Sequence, residues 1–245
     1  MQTVQRPTLP TLFALLLGFG LMQMGNTLQG TLLSIRGGIE RFSPAQIGAV
    51  GAGFWVGIVI GSLRCGKVVQ AVGHIRAFLA LGAIALTAPL LHLLIVDPIA
   101  WVVTRALTGF CFAGLFIVVE SWLNGAATEE TRGQILSVYA MTGLLAGIVG
   151  QLLLPATDPA GFRPFCIVAI IIAFAMVPIA LTQAVAPTQE GGGTRMSPET
   201  AVSAVALRTG GGLLVWGDYK CILRFGPDPC ATAGPRYPRS CRPDG

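Results

Sequence analysis

An arginine and a glutamate interrupt the apolar run TRALTGFCFAGLFIVVESWLN, at Arg105 and Glu120. A charge at mid-membrane depth costs about 3 kcal/mol on insertion scales, so both side chains need polar company. They stand fifteen residues apart, which is about 22 Å of helix rise and within about 60° around the axis. They cannot pair with each other, yet they look toward similar neighbours.

Arg105, Gly109 and Ala113 form an i, i+4, i+8 row, so the guanidinium heads a stripe of small residues. In an earlier apolar stretch Gln23, Asn26, Thr27 and Gly30 recur at three- and four-residue spacing and gather amides and hydroxyls on one side. Two readings follow. In one, the two faces line an aqueous cavity, where Arg105 attracts an anionic substrate group or governs a proton-carrying acid. In the other they hydrogen-bond to hold the helices together, or Arg105 snorkels toward an interface about six residues away. Tyr139 and Gln151 are secondary cavity candidates.

Glu120 opposes the negative end of its own helix dipole, so a cation is expected beside it: Arg76 first, then Arg64 or Lys67. Such a pair is either an inner latch that breaks as the bundle rocks or a static bridge. His74, in GHIRAF, reads as a loop residue that faces headgroups or caps a helix. His92, alone in LLHLLIV, reads as hydrogen-bonded between helices, with proton carriage as the alternative. No catalytic triad, metal-ligand cluster or phosphate-binding loop is apparent, and Glu120 with Ser121 lacks an evident base or oxyanion site. Neither an enzyme nor a cofactor is expected.

The elements that must position these groups are apolar. Hydrophobic residues make up 53% of the 245 and charged ones 11%, with a mean hydropathy of +0.71; a soluble domain carries about 25% charged residues. Six runs, near 11–35, 44–63, 76–96, 99–120, 133–154 and 165–183, are each long enough to cross a hydrocarbon core of about 30 Å. The expected fold class is an all-α polytopic membrane bundle of six transmembrane helices, short connections making neighbours antiparallel. The N-terminal run continues through MQMGNTLQGTLLSI without a small-residue cleavage site, and so reads as a first span rather than a leader.

Basic residues orient the bundle. Arg6, Arg64, Lys67, Arg76 and Arg132 fall on one side and Arg36, Arg41 and Arg163 on the other. By the positive-inside rule both ends of the bundle face the cytoplasm. The net charge of +5 forms no patch interleaved with aromatics, which argues for lipid phosphates and against nucleic acid as the partner. Glycines recur every four residues at Gly53, Gly57 and Gly61, and again at Gly143 and Gly147 with Gly150 close by; each stripe invites a close helix neighbour. The six cysteines, Cys65, Cys111, Cys166, Cys221, Cys230 and Cys241, show neither a CxxC pair nor metal-ligand spacing. From residue 184 a linker and a Gly-, Pro- and Arg-rich tail, 184–245, read as largely disordered.

The segment Gly66-KVV-Gln70-AV-Gly73-HI-Arg76 resembles the loop signature between the second and third helices of the major facilitator superfamily of secondary transporters. Gly66, Gly73 and Arg76 match it; Gln70 stands where an acid is usual and Ala71 where a basic residue is common. Arg105-ALT-Gly109 resembles that family's arginine-glycine motif, and GHIRAF with ESWLNGAATEETRGQ is similar to its YcaD-like branch. The resemblance covers about residues 10–183, one six-helix half of a fold that normally has two. It implies a secondary active transporter of a small solute, proton- or ion-coupled and working by alternating access in the plasma membrane. It also implies a coupling role for Arg105; the loop-motif residues Gly66, Gly73 and Arg76, with Glu120 from the pairing considered above, are the candidate inner gate. The second half is missing, and the tail fits a shifted reading frame or a truncation; a second copy or another half-transporter would then rebuild the pair of repeats. The rival reading is a non-transporting membrane assembly partner or an inert fragment.

Overall fold

A computed structural model describes residues 9–181. The linker and tail expected at 184–245, Arg6, and Cys221, Cys230 and Cys241 lie outside the described residues. Among the described residues six helices are each long and apolar enough to cross a membrane: α1 (Leu9–Ile39), α2 (Pro44–Val72), α3 (His74–Leu94), α4 (Pro98–Ala126), α5 (Arg132–Leu153) and α6 (Arg163–Ala180). A 3-10 turn, Leu154–Ala156, follows α5.

Local chemistry sets the helix ends. Ser43 caps α2 through a capping box with Gln46, and Pro44 follows at the first turn, where its missing N–H costs nothing. Asp97 caps α4 with a single bond, its Oδ1 accepting from Ala100 N at 2.8 Å. At the end of α1 the chain closes by Phe42 N donating to Gly37 O at 2.9 Å, with Arg41 held at φ 60°. This is a Schellman-type stop with arginine where glycine is usual.

The segment RCGKVVQAV, expected as a loop, is instead the last turns of α2, and the connection to α3 shrinks to Gly73 at φ 89°. Nothing between Gly61 and Gly73 breaks a helix, so hydrogen bonding carries on past the apolar run. His74, expected in that loop, is accordingly the first residue of α3 and is buried.

Both glycine stripes serve as seams. Gly53, Gly57 and Gly61 lie against Val102, Ala106 and Phe110 of α4, and a methyl on Gly57 would overlap the Ala106 carbonyl. From the other side Gly109 meets the Phe54 backbone, so α2 and α4 approach almost backbone to backbone. Gly143, Gly147 and Gly150 of α5 receive Phe19, Thr27 and Met24 of α1. Helix α1 also packs on α6, where Gly18 and Gly25 admit Ile179 and Ile172. Outward faces stay apolar, as with Leu144, Leu145 and Ile148 on α5, which suits a lipid solvent.

Arg36 ties one end of the bundle together. Its Nε donates to Glu40 at 2.7 Å, and its Nη1 donates to the carbonyl of Ala160 in the α5–α6 connection.

Candidate functional site

The first turns of α4 place Arg105. Asp97 and Pro98 start the helix, and seven residues later, about 10 Å along the axis, the arginine side chain is 6% exposed. Its guanidinium carbon sits over the Phe54 ring, 4.4 Å from the centroid. Gly109 and Ala113, which share its stripe, are taken up by α2, so the side chain reaches past Phe54 toward α1. A methyl added at Gly30 would come within 3.7 Å of Arg105 Nη2. Nη1 is buried with no hydrogen-bond partner among the described residues.

A cavity of about 260 Å³ lies in front of it. The structure brings Arg105 together there with Gln23, Asn26, Thr27 and Gly30 of α1. Sequence reasoning expected walls from α1 and α4; α2 supplies a third, with Val50, Phe54 and Trp55, and Phe42, Trp101 and Ser34 also line it. The glycine stripe hid this, because it drew attention to the packing face of α2 while Phe54 sits beside Gly53 on the same turn. Among the described lining residues Arg105 is the one ionisable group.

The hydroxyls are partly spoken for. Thr27 Oγ1 donates back to Gln23 O at 2.8 Å, and Ser34 Oγ donates to Gly30 O at 3.2 Å. Asn26 Oδ1 is buried and unpartnered among the described residues. Gln29, which periodicity did not single out, is fully buried with both amide atoms in the same condition; its place three residues after Asn26 was the available signal.

His92 borders the site through Trp101. Its Nδ1 lies 2.6 Å from Ala88 O; a carbonyl only accepts, so Nδ1 carries the proton. The bond expected between helices is therefore made within α3. The interhelical contact is a ring contact instead, the imidazole edge-on to Trp101 at 5.6 Å. Trp101 in turn packs on Phe42 at 5.0 Å and donates Nε1 to Ile95 O at 2.8 Å.

The remaining candidates fall elsewhere. Glu120 accepts from Tyr139 Oη at 3.1 Å. Arg76, Arg64 and Lys67 are exposed. Tyr139 stacks on Phe19 with centroids 4.2 Å apart and is absent from the described cavity wall. Gln151 is exposed on α5. Gly66 lies within α2, and Gly73 forms the α2–α3 joint.

Comparison with known proteins accords with this architecture. The sequence pattern of the Major Facilitator Superfamily matches residues 15–225. An uncharacterized MFS-type transporter of Yersinia pestis (strain Pestoides F) is 30% identical over 183 residues, 75% of this chain and 47% of the relative. The uncharacterized MFS-type transporter YcaD of Escherichia coli O45:K1 (strain S88 / ExPEC) is 29% identical over 154 residues, 62% of this chain and 39% of the relative. The chain spans about half the length of the curated relatives it matches.

Proposed function

Because this chain belongs to the Major Facilitator Superfamily, we propose that its six helices act as one half of a secondary transporter for a small solute. The observation that carries this is Arg105: a buried arginine facing a cavity, with Nη1 unpartnered among the described residues. An uncompensated charge in low dielectric is expensive, and a visiting anion or proton-bearing group offsets that cost during each cycle. The solute enters from one side, binds against Arg105 and the α1 amides, and leaves from the other as the bundle rocks against a second half. That second half is another copy of this chain, and a proton or ion gradient drives the cycle. The assembly sits in the plasma membrane, with both ends of the bundle toward the cytoplasm. Glu120 with Tyr139, and the Gly73 joint, serve as the inner gate.

The test uses vesicles of the purified chain, loaded with a pH-sensitive dye and given a proton gradient. Small organic acids, amines and sugars are added in turn. At least one is expected to dissipate the gradient, and Arg105→Ala is expected to abolish that flux. Flux that ignores both the gradient and Arg105 would falsify the reading, as would a chain that moves none of the panel.

A further inference from the structure

The walls around Arg105 say more than that an anion is welcome. Four large rings, Phe42, Phe54, Trp55 and Trp101, line a cavity that holds a single cation among its described lining residues. We propose that the ligand is a small aromatic monocarboxylate, its carboxylate on Arg105 and its ring among these four side chains. This rests on the reading of the cavity as the solute site.

Charge sets the valence. One buried guanidinium balances one negative charge. A dianion would leave a second charge without a partner in low dielectric, and a cationic ligand would be repelled outright. A neutral sugar could accept hydrogen bonds from the guanidinium but would leave its charge unbalanced.

Donor supply points the same way. The Thr27 and Ser34 hydroxyls donate to their own helix, and Trp101 Nε1 donates to Ile95. That leaves the guanidinium, with its planar fork, the Gln23 and Asn26 amides and the Trp55 N–H to meet polar atoms. A fork matches a carboxylate in two parallel bonds, whereas a polyhydroxylated ligand would find too few partners. Trp101 therefore presents its ring rather than its N–H, and flat apolar groups pack against such rings.

Size closes the argument. At about 260 Å³ the cavity falls just below the range of about 300–1,000 Å³ that takes drug-sized ligands, which suits a smaller one of about ten non-hydrogen atoms. Benzoate and phenylacetate have that size, charge and shape.

The experiment measures binding of benzoate, benzamide and acetate to the full chain in lipid nanodiscs, by calorimetry and by tryptophan fluorescence. Benzoate is expected to bind, with benzamide and acetate each at least about tenfold weaker, as befits a lost charge pair or a lost ring. Arg105→Gln is expected to erase the difference between benzoate and benzamide. Trp55→Leu, at a half-exposed wall position, is expected to weaken benzoate severalfold and leave acetate unchanged. The comparison of the three probes on the unaltered chain needs no variant to fold. Benzamide or acetate binding as tightly as benzoate overturns the proposal, and so does the absence of benzoate binding at millimolar concentration. The two readings separate cleanly: gradient-driven flux of another solute without benzoate binding sinks only this one, while benzoate binding without any flux sinks only the transport reading.

Discussion

Arg105 of α4 rests on the ring of Phe54 of α2, 4.4 Å from its centroid, at the seam where Gly109 meets the Phe54 backbone. One residue of α2 thus both closes the helix contact and offers its ring to the charge. A desolvated cation–π pair is worth about 2 kcal/mol. Phe54→Leu is therefore expected to destabilise the bundle by about that amount beyond the loss of ring packing. A double-mutant cycle with Arg105→Met, followed by thermal unfolding in detergent, isolates the term; strictly additive effects would deny the coupling.

The α2–α4 seam tolerates no side chain at Gly57, where a methyl meets the Ala106 carbonyl. Backbone atoms cannot rotate aside as a flexible side chain does, so the helices must part. Gly57→Val is expected to cost about 3 kcal/mol, the upper range for overpacking. Gly48→Ala, in open space on the same helix, should be neutral or slightly stabilising. Melting temperatures of the two variants check the contrast.

Arg41 occupies the left-handed region at φ 60°. That conformation costs a non-glycine residue about 1–2 kcal/mol, while glycine gives back about 0.5–1 kcal/mol through its freer unfolded chain. Arg41→Gly is expected to stabilise the protein by about 0.5 kcal/mol net. Arg41→Val, β-branched and worse suited to that region, should lower stability. If the valine variant melts no lower than the parent, the turn is not held as described.

Glu120 bonds to Tyr139 across α4 and α5 at 3.1 Å. A hydrogen bond to a charged group contributes about 1.5–3 kcal/mol. Tyr139→Phe should cost at the lower end of that range, and should cost much less in a Glu120→Ala background. Arg76→Ala, at an exposed site on α3, should stay within about 0.5 kcal/mol. Chemical unfolding of the four variants tests it, and a large Arg76 effect would mark the arginine as a further partner of Glu120.

Much of the scaffold was legible before any coordinates. Run length and the scarcity of charge specify six membrane-crossing helices, and glycine spacing marks which faces of α2 and α5 take a close neighbour. The polar side of α1, with Gln23, Asn26, Thr27 and Gly30, is a property of one helix and is read directly from its period. Helix ends were less clear, because a run of hydropathy stops at the membrane surface while the backbone ladder of α2 continues to Val72.

What only the tertiary structure decided is who meets whom. Periodicity tells which side of a helix is polar or smooth; it says nothing of how far that helix is rotated and slid against the next. That choice puts Phe54 under Arg105, brings α2 into the cavity wall, and brings the Tyr139 hydroxyl to Glu120. The physical reason is that short-range patterns arise within one chain segment, whereas partner contacts follow from packing all six rods at once.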